Sequence, residues 1–135
     1  MSLQAKILHW APRILCILAI LFISMFALDA FNHDETIMVQ IGDFVMHLIP
    51  SILLSVILWL AWKKPLIGGI LFTFVGVIFT PWVYNHNYSM NHSVSMSLGV
   101  IFLITIPFVF IGLLFIIDHF ITKKRKAGVI SEPEK

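Results

Sequence analysis

Four apolar runs, each long enough to cross a bilayer, leave this chain of 135 residues little sequence for anything else. A spanning helix takes roughly 20 mostly apolar residues to cross a hydrocarbon core about 30 Å thick. Runs at about 12–31, 42–62, 66–84 and 94–121 meet that requirement. With 59% hydrophobic and 12% charged residues and a mean hydropathy of +0.97, the composition lies far from that of a soluble domain. The expected fold is an all-α membrane protein, an antiparallel four-helix bundle threaded up-down-up-down. It forms one transmembrane domain over 1–121, followed by a basic, mobile cytoplasmic tail over 122–135. No soluble catalytic domain fits beside four spans. The single cysteine, Cys16, falls inside the first run, where it reads as a small buried residue and offers no disulfide framework.

Charge placement sets the expected threading. Lysine and arginine occur before and at the start of the first run (Lys6, Arg13), between the second and third (Lys63, Lys64) and after the fourth (Lys123, Lys124, Arg125, Lys126). The other two connections, 32–41 and 85–95, have none. The positive-inside rule then places both termini in the cytoplasm and the histidine-containing connections outside. Tyr84, Tyr88 and Trp82 at the outer level, and Trp10, Trp59 and Trp62 at the inner level, fit the aromatic belts of a membrane interface. The first run lacks an Ala-x-Ala-like cleavage pattern, so it reads as an uncleaved span rather than a signal peptide.

Within the second run, Asp43, His47, Ser51 and Ser55 stand at successive i, i+4 positions and so share a helical face over its outer half. Asp43 is expected to cap that helix from its first turn, and Pro50 to kink it beside His47. Pro107 is a second kink candidate, in the fourth helix. The third run carries Gly69, Thr73, Gly76 and Thr80 at i, i+4, i+7 and i+11. Lipid tails are as apolar as leucine, so membrane helices associate by close backbone packing, and this seam is expected to be a helix-packing surface.

Arg13-Ile14, Phe26-Ala27-Leu28-Asp29-Ala30-Phe31, His47-Leu48-Ile49-Pro50, Ala61-Trp62-Lys63 and Ile67-Gly68-Gly69 occur in that order over the first three helices. In this the chain resembles a family of small four-helix prokaryotic membrane proteins known as a domain of unknown function. The resemblance implies an integral protein of the prokaryotic inner membrane and supplies no activity.

Ionisable groups within spans are rare and usually functional. Asp29 sits at the C-terminal end of the first helix, where the dipole disfavours an anion. It therefore calls for a partner, and His47 is the favoured one. His47, His86, His92 and Asp29 map to one end of the bundle and have the N and O donors of a divalent transition-metal site. Their spacing matches no metal motif, and the alternative is a proton-sensing role in which Asp29 and His47 titrate together. Lys123, Lys124, Arg125 and Lys126 directly follow a span and are placed to attract anionic lipid headgroups. No phosphate-binding glycine loop, nucleophile elbow or nucleic-acid motif is present. The function expected is a small non-enzymatic membrane protein, partnered by the lipid bilayer and acting by self-association as a homo-oligomer or as an accessory to a membrane-protein partner. The alternative is a metal- or proton-binding transport or sensing element.

Overall fold

The computed structural model describes residues 3–31 and 36–128; for Gln4, Ala5, Asp29 and Ala30 it describes the backbone alone. Helix α1 spans Leu3–Met25 and tightens into a 3-10 turn at Phe26–Ala30. It is followed by α2 (Ile37–Lys63), α3 (Pro65–Asn91), α4 (Val94–Ile104) and α5 (Ile106–Lys126). Described residues contain no strand. Among the described residues four helical stretches are long and apolar enough to cross a membrane: Lys6–Leu28, Ile37–Lys63, Pro65–Asn91 and Val94–Lys126.

α1 begins before the apolar boundary that the sequence suggests, α2 and α3 run past theirs at both ends, and α5 runs past its far end. Hydropathy marks where a helix leaves hydrocarbon, whereas backbone hydrogen bonding continues until a residue breaks it. At α2 this overturns the capping role of Asp43: the helix begins six residues earlier, behind Thr36, and has no acidic residue in its first turn. α3 runs on to Asn91, so His86 and Tyr88 are helical rather than part of a loop. His92, at a left-handed φ of 50°, turns the chain, and the Ser93 hydroxyl then accepts the Met96 N–H to cap α4. α5 continues to Lys126, so Lys123, Lys124, Arg125 and Lys126 of the expected tail are helical, and its last residues, 129–135, lie outside the described residues.

Pro107 does more than kink the fourth span. It cannot donate to the carbonyl one turn earlier, and the helix breaks at Thr105 between α4 and α5. The Thr105 hydroxyl binds the Ile101 carbonyl at 3.2 Å and receives the Thr80 hydroxyl of α3 at 3.0 Å, so side chains stabilise the break.

α3 and α5 form the tightest pair, because glycines let their backbones meet. A Cβ at Gly69 would lie 2.7 Å from the Gly112 carbonyl oxygen, and one at Gly112 would lie 2.6 Å from that of Gly69. At Gly76 the same addition would stand 2.6 Å from Val109 Cγ2. The Gly69, Thr73, Gly76 and Thr80 seam is thus occupied by α5 of the same chain and is not free to receive a second one. Beside it, Phe72 of α3 stacks between Phe108 and Phe115 of α5, each 6.1 Å away, two residues one heptad apart on the same face. Cys16 and Ile20 from α1 and Leu54, Ile57, Leu58 and Ala61 from α2 complete the core around this stack.

Helix ends that are remote in sequence meet at one end of the bundle. His9 of α1 reaches Asp118 of α5, and Trp10 lies edge-on to Trp62 of α2 at 6.4 Å. This terminal end also carries Lys63 and Lys64, while Phe31 and Phe44 meet at the far end.

Candidate functional site

The buried charges lie at the terminal end, where α1, α2 and α5 converge. Arg13 is 1% exposed and Asp118 3% exposed. Arg13 donates from Nη1 to Asp118 Oδ2 at 3.3 Å and to the His9 carbonyl. His9 Nδ1 lies 3.2 Å from the same carboxylate oxygen, and the Thr122 hydroxyl donates to Asp118 Oδ1 at 3.4 Å. The guanidinium also faces two aromatic rings, Phe115 at 5.4 Å and Trp62 at 6.0 Å, whose negative faces favour a cation. Helical spacing makes this cluster: His9 and Arg13 are one turn apart on α1, and so are Asp118 and Thr122 on α5. A charge at this depth is stable only if paired, and here one carboxylate holds three donors. One polar atom is left over, since Arg13 Nε is buried without an acceptor.

A cleft of about 440 Å³ opens against the cluster. Besides His9, Arg13, Trp62 and Asp118, it is lined by Lys63, Lys123 and Lys126, with His119 and Pro65 also on its walls. Lys123 and Lys126 are three residues apart and share a face of α5, whereas Lys124 and Arg125 are not among the lining residues.

At the far end the candidate metal ligands stay apart. His47 is exposed and its Nδ1 lies 2.7 Å from its own helix's Asp43 carbonyl. His86 stacks on Trp82 at 5.5 Å, and His92 lies edge-on to Tyr88. Among the described residues no three His, Cys, Asp or Glu side chains are placed to hold a metal ion. Among the described residues His47, His86 and His92 do not come together as a ligand set. The Asp29 side chain, and with it the Asp29–His47 pair, lies outside the described residues, as do His33, Asp34 and Glu35.

Two further concavities lie along the apolar helical stretches. An apolar cavity of about 490 Å³ sits beside Pro50, lined by residues that include Leu54, Phe79, Val83 and Phe108. Between α1 and α2 a groove of about 430 Å³ is lined by Ile20, Ser24, Ser51, Ser55 and Trp59 among others. Ser24 and Ser55 donate to carbonyls one turn back in their own helices, Ile20 and Ser51, each at 2.8 Å. Ser51 is 4% exposed and its hydroxyl has no partner.

The terminal-end cluster is what reading the sequence passes over. One signal was available: Arg13 and Asp118 are opposite charges in apolar runs, at ends that the positive-inside rule places on the same side. Charges sharing a level in a membrane protein usually pair.

No curated protein and no solved structure matches the chain. A family model does match, over residues 1–128, which takes in all five helices described above. The chain belongs to the family described as Domain of unknown function (DUF7670).

Proposed function

We propose that this protein is a non-enzymatic integral membrane protein that acts by pairing with a second copy of itself through the groove between α1 and α2. It is threaded up-down-up-down with both termini and Lys63–Lys64 in the cytoplasm. The threading is supported by the cationic residues: Lys6, Arg13, Lys63, Lys64 and Lys123 to Lys126 all belong to the terminal end. The non-enzymatic reading is supported by the convergent polar groups His9, Arg13, Asp118 and Thr122, which are engaged with one another.

Ser51 is the observation that carries the association. An unsatisfied hydroxyl in hydrocarbon is costly, and a neighbouring helix is the usual remedy. The glycine seam of α3 is filled by α5, whereas the Ser24, Ser51 and Ser55 groove is a small-residue surface still open. A hydroxyl both donates and accepts, so this groove is complementary to itself across a two-fold axis, as an isologous interface requires.

The test is the mass of the protein in mild detergent, for wild type, Ser51→Ala and Ser55→Leu. Ser55 is exposed, so leucine there blocks the groove without entering the core. A wild-type dimer is expected, with Ser55→Leu monomeric. Ser51→Ala should weaken the dimer about threefold to thirtyfold, as interhelical hydrogen bonds in membranes contribute about 0.6–2 kcal/mol. A wild type that stays monomeric, a dimer indifferent to both substitutions, or a one-to-one complex with a different membrane protein would overturn self-association.

A further inference from the structure

We infer that the cleft at the terminal end is a binding site for a phosphate group, either the headgroup phosphate of an anionic lipid or a free phosphate anion. Its walls carry the charge such a ligand needs. Lys63, Lys123 and Lys126 line it, and none has a carboxylate partner among the described residues. Lys63 is held by the face of Trp59, 4.1 Å from the ring centroid, an arrangement that fixes the ammonium without neutralising it. The lone carboxylate on the walls, Asp118, is already committed to Arg13, His9 and Thr122. The balance inside the cleft therefore stays cationic.

Two independent features point the same way. Arg13 is almost wholly buried, yet its Nε has no acceptor, and a phosphate oxygen is the kind of acceptor a guanidinium edge takes. Pro65, the first residue of α3, lies on the wall, and that helix begins with no acidic residue in its first turn and no side chain capping it. A helix N-terminus left uncapped favours an anion beside it. Basic pockets between membrane helices on the cytoplasmic side are where phosphate headgroups bind, and Trp62 on the wall suits that interfacial level. The attraction expected of Lys123, Lys124, Arg125 and Lys126 as a run thereby divides. Lys123 and Lys126 contribute to a built site, while Lys124 and Arg125 add only to the surface potential. The inference does not require the dimer proposed above.

The experiment uses the full chain in nanodiscs of phosphatidylcholine, with and without a minor fraction of phosphatidic acid, and reads the lipids retained by native mass spectrometry. Three proteins are compared: wild type, a cleft variant (Lys63→Ala, Lys123→Ala, Lys126→Ala) and a charge-matched control (Lys6→Ala, Lys124→Ala, Arg125→Ala). All six side chains are exposed or half-buried, and circular dichroism confirms that each variant keeps its helix content. Wild type and control are expected to retain phosphatidic acid, with the cleft variant weakened about a hundredfold, because each basic residue near a membrane surface contributes about 1 kcal/mol. Added inorganic phosphate separates the two sources. Displacement of the lipid assigns the site to the phosphate group alone, and persistence of the lipid assigns it to the headgroup. Equal weakening of cleft variant and control, or retention by both, overturns the inference, since either result means that surface potential rather than the cleft governs binding.

Discussion

Arg13 and Asp118 are the residues whose replacement should be felt most. Both are buried at the junction of α1 and α5, and each is the other's counter-charge. Asp118→Ala would leave a guanidinium without its carboxylate in a low-dielectric site, and removing one partner of a buried pair costs about 3–5 kcal/mol. The double substitution Arg13→Met with Asp118→Leu should recover most of that loss, because no uncompensated charge remains. Denaturant titration of helix content in detergent measures both, and an Asp118→Ala protein as stable as wild type would contradict the structural role assigned to the pair. His9→Ala should cost far less, since His9 is partly exposed and contributes only one of the three donors on Asp118. Legibility at this scale was uneven. Asp29 and His47 stand out as polar residues within apolar sequence. Arg13 and Asp118 stand out equally, but 105 positions separate them, and only packing brings them within 3.3 Å.

Between elements, the α3–α5 contact depends on the absence of side chains. Gly112→Ala would push a methyl group into Thr73 and the Gly69 backbone, neither of which can retreat without moving a helix. Overpacking of that kind costs about 1–3 kcal/mol. Gly42 and Gly99 are helical too, yet a methyl group at either meets nothing within 4 Å. Gly42→Ala and Gly99→Ala should therefore leave stability unchanged or raise it by about 0.5–1 kcal/mol, the ordinary helix preference of alanine over glycine. Melting the three variants side by side checks the contrast, and equal effects at all three positions would mean that α3 and α5 do not approach as described. The seam of Gly69, Thr73, Gly76 and Thr80 was readable as a packing surface from its spacing alone. Its partner was not, because Gly112 lies in a helix whose sequence shows no matching period. Helix ends are hidden from hydropathy for a related reason. Polar residues such as Asn85, His86 and Asn87 lower hydropathy without breaking a helix, so α3 continues well beyond the apolar run.

For the molecule as a whole, the proposed threading gives a direct labelling experiment. Cys16 is fully buried, so the natural thiol should stay silent toward a membrane-impermeant maleimide. A Ser89→Cys protein, whose new thiol lies near the end of α3, should label in intact cells, and a Lys64→Cys protein should label only after the membrane is opened. The reverse pattern would place the termini outside and move the phosphate cleft to the other leaflet surface. What the sequence determined by itself was membrane residence, the number of spanning stretches and the end at which positive charge collects. These follow from apolar run length and loop charge, which are local quantities summed along the chain. The tertiary structure decided which polar groups meet. It left the far-end histidines apart, filled the glycine seam from within, and joined His9, Arg13 and Asp118 beside a cleft of lysines. Such meetings depend on how each helix is rotated about its own axis and where α5 starts after the break at Thr105, and no local property of the sequence carries that information.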